Sequence, residues 1–328
     1  MGDLNNQKPS EDVPNAVEPE DEHNVIPELT PKISPVKAGI LGLAGGFFFY
    51  QIFGGLLTVL IFGLDLEKAD ANALRLITMA GQVLFILLPA LIFSKVIYED
   101  VTRVLRFRSA PWIEIALFTV GIIALTPILQ NYVYIQNYYF ELLAKQNGFI
   151  HMIKASLDSL DKLVENSYGS LLKVNSPMDG AIVIAVVAIT PAICEEVMFR
   201  GFIQKSFELK YKPFLGALIT AIFFGIYHFN PYAFFPLVLL GFYLGYAAYK
   251  SDSILVPVVL HFINNLFAVV LFLIFGEAEL KQTQSITTAE LTPTLISLLY
   301  QILLFVIVLL GIQYYYRKKK RETAALSK

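Results

Sequence analysis

The chain has 328 residues, 56% of them hydrophobic and 16% charged, where an ordinary soluble domain carries about a quarter charged residues. Its mean hydropathy is +0.60, and apolar runs recur along most of its length. This excludes a single soluble domain and predicts an all-α polytopic membrane protein in contact with a lipid bilayer. A formal net charge of -2 points to no nucleic-acid partner, and the single cysteine, Cys194, excludes an intramolecular disulfide framework.

Residues 1–37 are acidic and rich in Pro and Asn, and they read as a disordered, solvated tail. They lack the apolar core of a secretory signal, and Asn6 stands where a myristoylation pattern needs Ser or Thr. Eight transmembrane helices are predicted. The accessory region 38–129 holds three of them, over 38–64, 76–94 and 112–129. Four more begin near Gly180, Phe214, Tyr232 and Ile254 and end by Phe275, and the last runs from about Thr294 to Tyr316.

Basic residues in short loops set orientation. The tail 317–328 contains Arg317 to Arg321 without a break in positive charge and is expected on the cytoplasmic side. Counting back, the loop with Lys95, Arg103, Arg106 and Arg108 falls on that side, as does the loop with Lys205, Lys210 and Lys212. Both termini are therefore expected to be cytoplasmic. Residues 130–179 form the long extracytoplasmic segment. It opens with a tyrosine-rich stretch suited to a membrane–water interface. Ile153, Leu157, Leu160 and Val164 follow at helical spacing and predict an amphipathic helix, either lying on the outer surface or packing on the bundle.

Ionisable groups inside spans are costly and normally face a cavity or a partner. Here they are few: Glu195, Glu196, Arg200, His228 and His261, with Asn264 and Asn265 beside the last. Residues four apart share a helix face, so Glu196 can pair with Arg200, and His261 with Asn265 can point into one cavity. Glu195 lies about 100° around the helix from Glu196 and can face that cavity.

Depth adds a condition. Glu195 and His228 reach one level if the fourth helix continues to about Leu209. At ~1.5 Å rise per residue, both then lie roughly 20 Å from the cytoplasmic helix ends, with His261 and Asn265 at roughly 12 and 18 Å. Pro191 lacks an N–H and is expected to kink this helix or to start its functional part. A carboxylate, two imidazoles and a carboxamide at one level suit hydrolysis, with a general base and donors for a developing oxyanion. Zinc held by Glu195, His228 and His261 is the chemical alternative. A proton-coupled transporter would also use midplane Glu and His, and a catalytically silent scaffold or immunity factor could keep the same fold.

Three motifs in order, Glu195-Glu196-x-x-x-Arg200, Phe224-x-x-x-His228 and His261-x-x-x-Asn265, resemble those of the CPBP family of intramembrane proteases. That family includes the eukaryotic CAAX prenyl endopeptidases and bacterial abortive-infection relatives. The resemblance covers residues 180–275; residues 276–316 add a loop and the last span. It implies an integral, multi-pass membrane endopeptidase, in the cell membrane if the source is prokaryotic, acting on a membrane-associated peptide or protein that can be lipidated. It implies that Glu195 activates a water that His228 orients, and that His261 and Asn265 form the oxyanion site. Glu196, supported by Arg200, would share in catalysis or hold the helix, and Phe224 would pack beside the site. No cofactor is implied.

Overall fold

The computed structural model describes residues 29–63, 66–276 and 284–326; most of the predicted acidic tail lies outside them. Among the described residues the fold is a helical bundle with no named strand. Nine principal helices follow in order: α1 (Pro35–Phe62), α2 (Ala71–Ile97), α3 (Trp112–Gln146), α4 (Gly148–Leu172), α5 (Pro177–Glu208), α6 (Pro213–Tyr227), α7 (Phe234–Ser251), α8 (Leu255–Phe275) and α9 (Thr288–Leu326). Six of these, α1, α2, α3, α5, α8 and α9, are long and apolar enough to cross a membrane. The chain is an integral, multi-pass membrane protein. At 15 residues α6 is a shorter apolar helix, about 22 Å long against a hydrocarbon thickness of about 30 Å.

Two helices outrun their apolar runs. The sequence places the end of the third span at Leu129, but α3 continues to Gln146. It can do so because its polar residues find partners: Asn131 Nδ2 donates to Gln301 Oε1 of α9 at 2.9 Å, and Gln136 Nε2 to the Tyr232 carbonyl at 3.1 Å. Likewise α9 carries the basic run of the tail as helix, and Lys319 reaches Glu114 at the start of α3 at 2.5 Å.

Close packing follows the small residues, as expected where lipid offers helices no hydrophobic reason to associate. α7 lies on α6 through Gly241 and Gly245: a Cβ on Gly241 would come within 3.1 Å of Phe224, and one on Gly245 within 3.2 Å of Ala217, and also within 2.7 Å of Gln204 on α5.

α4 turns out to be amphipathic in an unusual sense. Its apolar residues Phe149, Met152, Leu160 and Leu163 are exposed, while Asp161 is buried. The polar stripe faces the protein and the apolar one faces outward. Arg75 of α2 fixes the C-terminal end of α4. Its side chain is 1% exposed, its Nε donates to the Leu171 carbonyl at 2.9 Å, and Nη2 donates to that of Lys173. A cation there satisfies carbonyls that a helix end leaves open.

At the opposite end of the bundle, a charged knot joins three elements. Arg106 pairs with Glu208 at the end of α5, the two side chains being 1% and 7% exposed. Asp252, at the α7–α8 turn, lies 3.8 Å from Arg106 and 3.6 Å from Lys205. The Arg106 carbonyl accepts from Ile254 N at 2.9 Å. Arg106 and Lys205, which the sequence offers as orientation signals, thus also hold the bundle together.

Two stability predictions follow from buried charge. Removing one member of a buried pair strands the other and costs about 3–5 kcal/mol. Glu208→Gln should therefore lower the melting temperature in detergent, and an unchanged melt would show the knot to be incidental. Asp161 is raised from the usual 3.8 to about 6, first by burial and then by Glu165 and Asp158. Its folded acid is weaker than the free carboxyl, so its contribution favours the fold below about pH 4 and is lost as pH rises through about 6. Asp161→Asn should then raise the melting temperature at pH 8 and leave it nearly unaltered at pH 4; equal shifts at both values would remove Asp161 as the cause.

Candidate active site

α5 positions both glutamates, and its geometry is not uniform. Residues Ile184–Ile189 and Val197–Ile203 are wound as π-helix, flanking a short α-helical turn, Thr190–Glu196, that carries Cys194, Glu195 and Glu196. π-bulges put residues on helix faces that ordinary spacing would not, and they recur at functional sites. Pro191 opens the α-helical turn. Having no N–H, it leaves the carbonyl four residues back, that of Val187, without its α-helical donor. Asn265 of α8 supplies one: its Nδ2 donates to the Val187 carbonyl at 3.0 Å. The carboxamide oxygen of Asn265 accepts from Asn264 Nδ2 at 3.3 Å. One Nδ2 hydrogen remains for another acceptor.

The two glutamates have different surroundings. Glu196 is fully buried. Its Oε1 accepts from His261 Nδ1 at 2.8 Å, and its Oε2 lies 3.1 Å from Arg200 Nε, the guanidinium being fully buried as well. That contact is an ion pair without hydrogen-bond alignment, since neither Oε2 nor the guanidinium nitrogens have a hydrogen-bond partner among the described residues. The predicted i to i+4 pair is therefore present, and it includes a third member, His261, that the spacing did not suggest. Glu195 is only partly buried, yet its Oε2 is enclosed and has no hydrogen-bond partner among the described residues. Its charge acts on Arg200, on Tyr50 of α1 and on Tyr168 of α4.

Phe224 of α6 is more than neighbouring packing. The Arg200 guanidinium carbon sits 4.7 Å from its ring centroid, and the His228 and His261 rings lie at 4.6 and 6.0 Å. One aromatic face thus spaces the cation and both imidazoles, and contributes a cation–π contact to a desolvated guanidinium. His228 ends α6, and its Nδ1 is 2.7 Å from the Phe224 carbonyl. A carbonyl can only accept, so Nδ1 carries the hydrogen and the neutral ring presents a bare Nε2. The same logic applied to His261, whose Nδ1 donates to Glu196, leaves its Nε2 as the nitrogen open to another group.

Among the described residues, no group of three His, Cys, Asp or Glu side chains comes together in a way that could hold a metal ion; Glu195, His228 and His261 form no such set. Cys194 is buried and makes no disulfide.

Two contributors were not legible in the motifs. Tyr168 reaches in from α4, outside the stretch that carries the three motifs. Burial of its hydroxyl and then the Glu195 charge push it up to about 12, although the residue as a whole is 40% exposed. Gln51 of α1 donates from Nε2 to the Tyr227 carbonyl, beside His228. Neither residue stands at a spacing that marks it from sequence.

Comparison with curated proteins gave no match, and comparison with solved structures gave none. A family model does match: that described as type II CAAX prenyl endopeptidase Rce1-like aligns with residues 177–267. This stretch holds the whole of α5, α6 and α7, most of α8, and every one of Glu195, Glu196, Arg200, Phe224, His228, His261 and Asn265. Over residues 177–267, less than half of its length, the chain is similar to the Rce1-like type II CAAX prenyl endopeptidases.

Proposed function

We propose that this protein is an intramembrane endopeptidase that cleaves a peptide bond by glutamate-activated water, with a membrane-associated, lipidated peptide as the substrate class. One observation carries the assignment of the base. Of two adjacent carboxylates, Glu196 is taken up by Arg200 and His261, while Glu195 keeps a buried oxygen with no hydrogen-bond partner. A carboxylate left unengaged in a protein interior is costly unless something occupies it, and a water molecule does so.

In this reading Glu195 takes a proton from that water, whose other hydrogen points to the bare Nε2 of His228. The oxygen attacks the scissile carbonyl carbon. Negative charge then develops on the carbonyl oxygen, where the spare Nδ2 hydrogen of Asn265 is the available donor; His261, its Nδ1 hydrogen given to Glu196, adds a second only when Nε2 also carries a proton. Collapse of the tetrahedral intermediate breaks the C–N bond, and the departing amine receives the proton from Glu195. Glu196 acts through His261 and is a positioning residue rather than a partner of the reacting atoms. No metal enters this scheme. The topology that accompanies it has eight crossings, with α6 and α7 completing the six long spans, and both ends on the cytoplasmic side.

Replacing the base tests the scheme directly. Glu195→Gln preserves shape and removes the proton acceptor, so cleavage of an internally quenched prenylated peptide should fall by about 10²–10⁴, with folding judged by an unaltered melt. Undiminished cleavage would sink the role of Glu195, and loss of wild-type cleavage to a chelator with recovery on added zinc would sink the metal-free scheme.

Pro191 supplies a subtler test. Pro191→Ala restores an N–H that competes with Asn265 for the Val187 carbonyl. The helix should gain stability while kcat falls, by at most the roughly 10²–10³ attached to one oxyanion donor. A variant with wild-type kcat would show that this carbonyl does not hold Asn265 for the reaction.

A further inference from the structure

Lys154, Asp158, Asp161, Glu165 and Tyr168 recur along α4 at alternating spacings of four and three, which places them on one helix face. We propose that this face is a subsite for a basic side chain of the peptide substrate; the identity of the ligand as substrate rests on the peptidase reading above.

Charge makes the first argument. One ammonium faces three carboxylates, and it is already spent: Lys154 Nζ lies 3.1 and 2.8 Å from the two Asp158 oxygens, and the Tyr232 hydroxyl also donates to Asp158. Asp161 is left over. It is 3% exposed and takes no part in any hydrogen bond or ion pair among the described residues. Burying a carboxylate without a partner costs several kcal/mol, and a cation delivered from outside removes that cost.

Position makes the second argument. Asp158 and Asp161 both act on Tyr232, which follows His228 by four residues in the turn after α6. At the other end of the stripe, Tyr168 feels the charge of Glu195. The acidic face therefore runs between the two groups assigned to the water. It is held there by the Arg75 clamp at one end of α4 and the Tyr232 bond nearer its middle, with the apolar side of α4 turned outward.

The kind of cation follows from what the cluster lacks. Among the described residues no three acidic or imidazole groups are placed to hold a metal ion. A group carried on a long apolar stem, such as a lysine or arginine side chain, can reach a single buried carboxylate while its stem stays in apolar surroundings.

The test uses the full chain in lipid nanodiscs and internally quenched peptides that share one prenylated C-terminus and differ only upstream, in a Lys-Lys-Lys, Ser-Ser-Ser or Glu-Glu-Glu segment. The lysine peptide should show a KM about tenfold below the serine peptide, equivalent to about 1.4 kcal/mol, with the glutamate peptide weaker still. Salt at about 0.5 M should compress the series. In Asp161→Asn, and more fully in Asp161→Asn with Glu165→Gln, the lysine-to-serine ratio should drop to within about twofold. Binding of the same peptides to Glu195→Gln, read by fluorescence anisotropy, should keep the wild-type ranking. No ranking by charge in either assay, or a ranking that survives in both Asp161 variants, would overturn the subsite. If the wild type cleaves none of the peptides yet binds them in the expected order, the subsite stands and the peptidase reading falls.

Discussion

The structure depends on how one negative charge is kept inside a bilayer. Glu196 is fully buried in a helix that crosses the membrane, where an unpaired carboxylate would be prohibitive. Two groups engage it from different directions: Arg200, one turn along the same helix, and His261, on a helix some sixty residues further on in the chain. The first contact is local and costs little chain entropy. The second ties α5 to α8 and fixes which nitrogen of His261 is left open. Phe224 closes the arrangement from a third helix by covering the guanidinium and setting its distance to both imidazoles. The buried charge thus explains why α5, α6 and α8 meet where they do. It also explains why Glu195, its neighbour in sequence, is free to do something else.

Pro191 plays the complementary part in the backbone. A proline inside a spanning helix leaves a carbonyl unsatisfied, and in lipid such a group must find another donor. Here the donor is the side chain of Asn265. The defect and its remedy come from segments more than seventy residues apart, so the backbone itself helps to position a carboxamide at the site. The π-helical turns on either side of Thr190–Glu196 belong to the same picture. They shift the phase of the helix, so that Glu195 and Glu196 are presented by a short α-helical turn whose orientation regular winding would not give.

The helical class, the presence of the six long apolar helices and the run of α5 past the motif to Glu208 were all legible in the sequence, because hydropathy and depth constrain them strongly. So was the pairing of Glu196 with Arg200, since spacing on one helix is a local property. Contacts between helices were not. Nothing in the spacing shows that His261 bonds to Glu196, or that Asn265 serves the carbonyl freed by Pro191, because each depends on the relative rotation of two helices. The ends of α3 and α9 were hidden for a related reason. Their polar stretches look like loop until partners on facing helices are known. Arg75 and Tyr168 carry no motif at all, and their roles come from tertiary placement.

α4 shows where the periodicity of a sequence is ambiguous in principle. An amphipathic pattern states that a helix has two faces; it does not state which one meets the protein. In water the apolar face turns inward, and that default is built into most readings of a helical wheel. Beside a bilayer both faces have a suitable partner, so the choice passes to specific contacts. The Arg75 clamp and the bond from Tyr232 to Asp158 decide it here, and they decide for the acidic face. Turning carboxylates toward the protein raises the energy of the fold, and an arrangement of that kind favours any positive group that reaches them. The same contacts that orient α4 therefore set the sign of charge on the face it turns to the protein.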